Sequence, residues 1–207
     1  MKMEKKRKLS PNPDPDAPET WEMTEKKVPG ALDDTIELEL LKNKTVVLHG
    51  ELNEELCNKI CKRLLYLHFK KAKEIHVILN SVGGEVYHAL LIFNTLEDLK
   101  KKGMTIRVEA RGLCASMGVW ILMGASERIS TKYTRFLLHE TSSFTYGKVS
   151  EMKEGVEELE RLNTMLDEIV TSRTNITSAK LEKKTKKREW WLSAEEALKY
   201  GIIQRII

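Results

Sequence analysis

A serine, a histidine and a pair of glycines stand in an order that suits nucleophilic chemistry. Ser116 lies in RGLCASMGVW, Arg111 to Trp120, among small residues and directly before an apolar run, with Gly112 and Gly118 on either side. A serine at the point where a strand-derived turn starts a helix has the helix N-terminus behind it. The free N–H groups and partial positive charge there stabilise an oxyanion. The same placement suits a serine that merely caps the helix, and the surroundings are not the G-x-S-x-G of a nucleophile elbow. In NSVGGEV, Asn80 to Val86, two glycines mark a strand-to-helix junction. They either form an ordinary tight turn or bring backbone N–H groups close to a ligand; without a Lys-Ser/Thr ending this is no phosphate loop. His139 ends the apolar run of RFLLHET, 23 residues after Ser116, at the start of the polar loop ETSSFTYGK. A general base can face a cleft from such a place. His49, His68, His76 and His88 fall on predicted strands or helices with no partner motif, as packing or surface residues.

These residues need elements to carry them. TVVLHG, Thr45 to Gly50, reads as a β-branched strand ended by glycine. NEELCNKICKRLLYLHFKK follows as a helix, with Leu56, Ile60, Leu64 and Leu67 at helical spacing and Asn53 as N-cap. EIHVILN, Glu74 to Asn80, is a second strand and SVGG a turn. EVYHALLIFNTLEDLKKKG is a second helix that Gly103 can end. MTIRVEA, Met104 to Ala110, is a third strand; MGVWILMGAS reads as a buried helix, and ERIST and RFLLHE as short strands. A long amphipathic helix spans about 148–174, with Met152, Val156, Leu159, Leu162 and Leu166 on one side. SAKLEKKTKKRE is strongly basic. SAEEALKYG is a capped helix, because Ser193 with Glu196 three residues later forms a capping-box signature. IIQRII is a last strand. Strands alternating with helices predict an α/β fold of parallel crossover units.

The 207 residues suffice for one domain with a real core, preceded by a proline-rich, charged tail over 1–32 with little to bury. The net charge of +4 is too small to argue for nucleic acid. No apolar run approaches the roughly 20 residues of a membrane span, and the basic start MKMEKKRKLS lacks the apolar stretch of a secretory signal. A cytoplasmic protein is expected. Cys57 and Cys61 are four apart but have no further ligands at metal-site spacing. They and Cys114 read as packing residues, and no metal or cofactor is expected.

Taken together and in this order, the motifs resemble the proteolytic subunit of the Clp protease, a serine peptidase family of the crotonase-like superfamily, over about residues 38–207. ILNSVGGEV resembles the family's INSPGG turn, with Val82 in place of proline. GLCASMGVWILMGA is similar to GxAASMGAxLLxAGA, LLHE to MIHQP, and WLSAEEALKYGIIQRI to xLSAxEAxEYGLxDxI. The resemblance implies a spiral of β-β-α units over 33–207 with a protruding handle helix at about 148–174. It implies a Ser-His-acid triad in which Ser116 is the nucleophile and His139 its base, with backbone N–H groups of Gly84 and Met117 as the oxyanion hole. It implies unfolded polypeptides as substrates and homo-oligomeric, heptameric rings that stack in pairs.

Two departures bear on that transfer. The family's aspartate before LSA aligns with Glu189, one methylene longer; Asp167 and Glu168 are rivals, but they lie on the long helix. On the strand before the glycine pair, His76 and Ile78 replace tyrosines that in the family help to bind an AAA+ unfoldase, which weighs against docking of that partner. The tail does not match the family's short entry segment and reads as a propeptide or an adaptor-binding arm. A ring scaffold without catalysis, an acyl-CoA enzyme using the same oxyanion hole and a Ser–Lys dyad are the competing readings.

Overall fold

Regular alternation of apolar and polar residues in the strands, and apolar residues at helical spacing between them, build a sheet with helices packed against it. The computed structural model describes residues 4–7, 21–24, 31–142 and 146–207, and the chain divides between Glu39 and Leu40 into two units. In the first, β1 (Glu4–Arg7) and β2 (Trp21–Thr24) pair antiparallel, with Glu4 opposite Thr24. The helix α1 (Ala31–Lys42) follows. Most of the predicted 1–32 tail lies outside the described residues.

The second unit carries the rest: β3 (Thr45–Leu52), α2 (Glu54–Phe69), β4 (Glu74–Gly84), α3 (Val86–Lys101), β5 (Thr105–Ala115), α4 (Met117–Met123), β6 (Glu127–Ser130), β7 (Arg135–His139), α5 (Val149–Thr171), α6 (Ser178–Thr185), β8 (Glu189–Leu192), α7 (Ala194–Lys199) and β9 (Arg205–Ile206). The sheet runs β3-β4-β5-β6-β9, all parallel, as crossover helices require. The mixed α/β class expected from the sequence is thus observed. Val46, Leu48, Ile75, Val77, Ile106 and Val108 point alternately into the core. They meet the stripe of α2 that carries Cys57, Ile60, Cys61 and Leu64, and its N-cap is the expected one: the Asn53 side chain accepts from the Leu56 N–H. Every residue of α4 is buried, which is why its sequence is apolar all round rather than on one stripe. The Trp120 indole N–H donates to the Leu166 carbonyl at 2.8 Å and ties α4 to α5.

Three local readings of the sequence need correction. SVGG is not a turn but the end of β4, paired with β3 through Glu51 opposite Gly83 and Leu52 opposite Gly84. RGLCA likewise continues β5. Between Leu79 and Ser81 the partner strand advances from Ala110 to Cys114, so β5 bulges over 111–113, with Gly112 at φ +74°. That bulge splits the sheet: β5 pairs with β6 before it and with β7 after it. Finally, the basic segment holds a helix, α6, capped by the Thr177 side chain, and the strand β8, neither expected.

Candidate functional site

Ser116 sits at the C-terminal end of β5, where the parallel sheet opens, a usual position for reactive groups in open α/β sheets. It does not act as a cap. Its φ of +51° and ψ of −131° lie far from the extended backbone of a capping residue, and its side chain accepts no hydrogen bond from α4. A non-glycine residue in this region is strained by about 1–3 kcal/mol and persists only where its surroundings over-determine it. Here they do. The Ser116 N–H donates to the Leu137 carbonyl at 2.9 Å, and the Ser116 carbonyl accepts from Val119. Among the described residues the hydroxyl has no hydrogen-bond partner, so it is available for chemistry.

The glycine pair explains itself against these neighbours. A Cβ on Gly83, at φ +94°, would lie 2.4 Å from the Ser116 Cβ and 3.1 Å from its Oγ. A Cβ on Gly84, at φ +151°, would lie 2.4 Å from the Leu52 carbonyl oxygen. Gly83 therefore makes room for the serine, and Gly84 lets β4 close on β3.

Two residues that the sequence reading passed over hold this corner together. Ser81, 2% exposed, donates its hydroxyl to the Gly50 carbonyl at 2.6 Å and accepts from the Gly83 N–H at 3.0 Å. The first bond bridges the irregularity of β3 between His49 and Glu51. The Asn80 Oδ1 accepts from the Leu113 N–H at 3.1 Å and so satisfies a donor that the β5 bulge takes out of the ladder. The visible signal was two adjacent polar residues at the end of an otherwise apolar strand, immediately before the glycines.

His139 ends β7, and the Ser116–Leu137 bond brings that strand end alongside the serine. The structure places Glu189 directly opposite His139 in the antiparallel β7–β8 ladder, with Leu137 opposite Trp191. Directly opposed residues share a face of the sheet. The two side chains nevertheless use local partners. His139 Nδ1 lies 2.6 Å from the Glu140 carbonyl oxygen. A carbonyl only accepts, so Nδ1 carries the hydrogen, and in the neutral ring this leaves the lone pair on Nε2, the tautomer a general base needs. Glu189 Oε2 accepts from the Trp191 indole N–H at 2.8 Å. No bond joins His139 to Ser116 or to Glu189 among the described residues. An open cleft of about 390 Å³ lies here, bounded by Leu137, His139, Glu140, Thr185, Arg188 and Glu189.

The rival carboxylate Asp167 comes nearer than its place on the long helix suggests. With Glu140, Asn163 and Glu182 it lines an adjoining cleft of about 190 Å³. Burial, with the Glu182 and Glu140 charges adding to it, pushes the Asp167 carboxyl up to about 6. The Met117 N–H, at the first position of α4, lies next to Ser116 and outside the helix's own bonding pattern.

On the other side of β4, the sequence's His76 donates from Nε2 to Glu109 Oε2 at 2.9 Å, and Arg111 pairs with the same buried carboxylate. Burial alone would raise the Glu109 carboxyl; Arg111 and His76 outweigh it and hold the carboxyl below its usual value. Ile78 is half-buried on the same strand. The three cysteines are buried and free of disulfides, and burial pushes the Cys57 thiol up to about 11, as fits packing residues.

The Clp protease family profile matches residues 30–207. Among curated relatives, ATP-dependent Clp protease proteolytic subunit 3 of Rhizobium etli is 34% identical over 173 residues, covering 83% of this chain and 87% of the relative. The Rhizobium johnstonii protein of the same name is 32% identical over the same extent, and that of Rhizobium meliloti 33% over 185 residues. The chain belongs to the Clp protease family. Among the described residues no helix is long and apolar enough to cross a membrane.

Proposed function

We propose that the protein is a serine endopeptidase that hydrolyses unfolded polypeptides inside an oligomeric ring chamber. The observation that carries this is Ser116: a strained residue, packed on Gly83, with a hydroxyl that serves no structural bond among the described residues. In the reaction the Ser116 Oγ attacks the scissile carbonyl while His139 Nε2 takes its proton. The tetrahedral oxyanion receives the N–H groups of Gly84 and Met117. His139 then gives its proton to the leaving amine, and water releases the acyl group by the same route in reverse. Glu189 orients His139 and stabilises the imidazolium. For that pair to form, the His139 ring leaves the Glu140 carbonyl and turns its Nδ1–H toward Glu189, which the cross-strand register allows.

Assembly as heptameric rings, stacked in pairs, is part of the same reading. On the handle helix α5, Leu162, Leu166 and Val170 are buried, whereas Val149 and Val156, nearer its start, are exposed, at 65% and 49%. An apolar stripe left open at one end suits packing between rings. Docking of an AAA+ unfoldase in the family's usual way is disfavoured in this reading, because His76, hydrogen-bonded to the Glu109 carboxylate that also pairs with Arg111, and Ile78 stand where the family has tyrosines.

Hydrolysis of an unfolded, labelled polypeptide by the purified protein tests this reading, with sedimentation run in parallel. Cleavage that falls at least about 10³-fold in Ser116→Ala, in a species of seven or fourteen chains, is expected. Equal cleavage by Ser116→Ala, or a monomer at micromolar concentration, would overturn it.

A further inference from the structure

We propose that Trp191 is a positioning residue that fits this site to a glutamate: its indole N–H holds the Glu189 carboxylate facing His139. The inference rests on the reading of Ser116, His139 and Glu189 as the catalytic set and deepens it.

A glutamate has one more rotatable bond than an aspartate, and freezing a long polar side chain costs up to about 1.5–2 kcal/mol in rotamer entropy. Glu189 is exposed, and Lys187 and Arg188 line the same cleft. A carboxylate placed there would spread over several orientations and onto those cations. Trp191 counters both tendencies. It lies two residues along β8, on the same face, opposite Leu137, and its Nε1–H reaches Glu189 Oε2 at 2.8 Å. An indole only donates and does not titrate. It therefore fixes the direction of the carboxylate without cancelling the charge that Glu189 must present to the imidazolium, which a lysine or arginine partner would do. One oxygen is thus occupied, and Oε1 remains to accept the His139 Nδ1–H. The acid is set in place before the histidine turns to it from the Glu140 carbonyl. Leu137, opposite Trp191 in the register, supplies the carbonyl that holds the Ser116 N–H, so the strand that carries the indole is paired with the one that holds the serine.

Trp191→Phe keeps the ring and removes the donor. The test is steady-state hydrolysis of a short fluorogenic peptide by the assembled full-length protein from pH 5 to 9, in the wild type, Trp191→Phe, Glu189→Ala and the double variant. A hydrogen bond to a charged group is of a size that predicts a kcat about tenfold lower for Trp191→Phe, with KM within about twofold. A less firmly held carboxylate stabilises the imidazolium less, so the acidic limb of the kcat/KM profile moves to lower pH. In the Glu189→Ala background, Trp191→Phe has no further effect. As a second arm, Glu189→Asp, too short to hold the indole and face His139 together, also lowers kcat about tenfold.

The proposal is overturned if Trp191→Phe matches the wild type in kcat and pH limb, if it lowers kcat equally with and without Glu189, if it raises only KM, or if Glu189→Asp is as active as the wild type. Full activity of Glu189→Ala overturns it while leaving Ser116 and His139 in place. A wild type with no Ser116-dependent hydrolysis overturns the functional reading itself, and a failure confined to the Trp191 variants overturns this inference alone.

Discussion

The two halves of the site are built differently. On the side of the proposed nucleophile, three bonds between strands tie the corner around Ser116: Ser81 to Gly50, Asn80 to Leu113, Ser116 to Leu137. Gly83 packs so near the serine that a side chain in its place would collide with it. On the histidine–acid side, the two side chains lie at the solvent-facing end of the β7–β8 pair, and each bonds to a residue one or two places along its own chain. Exposed local hydrogen bonds add little net stability and exchange readily. The strained serine is held by the core, while the proposed base and acid are left able to turn. Backbone strain needs many fixed contacts to persist, whereas an imidazole needs only one rotation to change partner.

Breaking the rigid half gives the largest effect. Gly83→Ala puts a methyl 2.4 Å from the Ser116 Cβ at a backbone φ that alanine disfavours. Overpacking of this kind costs about 1–3 kcal/mol, and displacement of the nucleophile by about 1 Å costs about 10² in rate. Thermal melting and peptide hydrolysis of the same preparation check both numbers. Survival of full activity would show that the serine is not tightly seated.

Asn80→Ala loosens the same half more gently. It leaves the Leu113 N–H without its acceptor, for about 1–3 kcal/mol. For a chain of this length that lowers the melting temperature by about 2–12 °C, with a drop in hydrolysis of about tenfold as the bulge before Ser116 relaxes.

The smallest effect sharpens the other half. The native state holds the Asp167 carboxyl at about 6, above the 3.8 of the free side chain. A raised acid favours the protonated native state. Its stabilisation is fully present below pH 3.8 and is lost as pH rises through 6, where the buried group must ionise beside Glu140 and Glu182. Asp167→Asn removes that cost. Allowing for solvent screening of a half-exposed site, the variant is more stable by about 1 kcal/mol at pH 8, and this difference disappears by about pH 4. Denaturant unfolding at pH 4, 6 and 8 measures it; a constant difference across that range would show that Asp167 does not feel its neighbours.

The rigid half was also the more legible in sequence. Apolar periodicity located β3, α2, α3 and the buried α4, and the Asn53 and Ser193 caps stand where the spacing puts them. Ser116 remained divided between cap and nucleophile because residue type alone does not reveal φ; the positive φ removed the cap. SVGG was misread because adjacent glycines signal a turn unless something else needs the space, and here Leu52 and Ser116 need it. Asn80 and Ser81 went unnoticed because their partners are set by strand register and bulges, which spacing does not encode. The strand β8 was hidden for a different reason: four residues, EWWL, at the end of a basic run carry too short an alternation to stand out. Without β8, the placement of Glu189 opposite His139, 50 positions earlier, had no geometric basis and rested on resemblance to the family alone.

The central claim is that Ser116 is a nucleophile activated by His139. Reaction of the assembled protein with a fluorophosphonate probe, followed by peptide mass spectrometry, tests it most directly. The account predicts a covalent adduct on Ser116 in the wild type and its loss in His139→Ala. No adduct on a correctly assembled wild type, or an adduct of equal yield without His139, would contradict it.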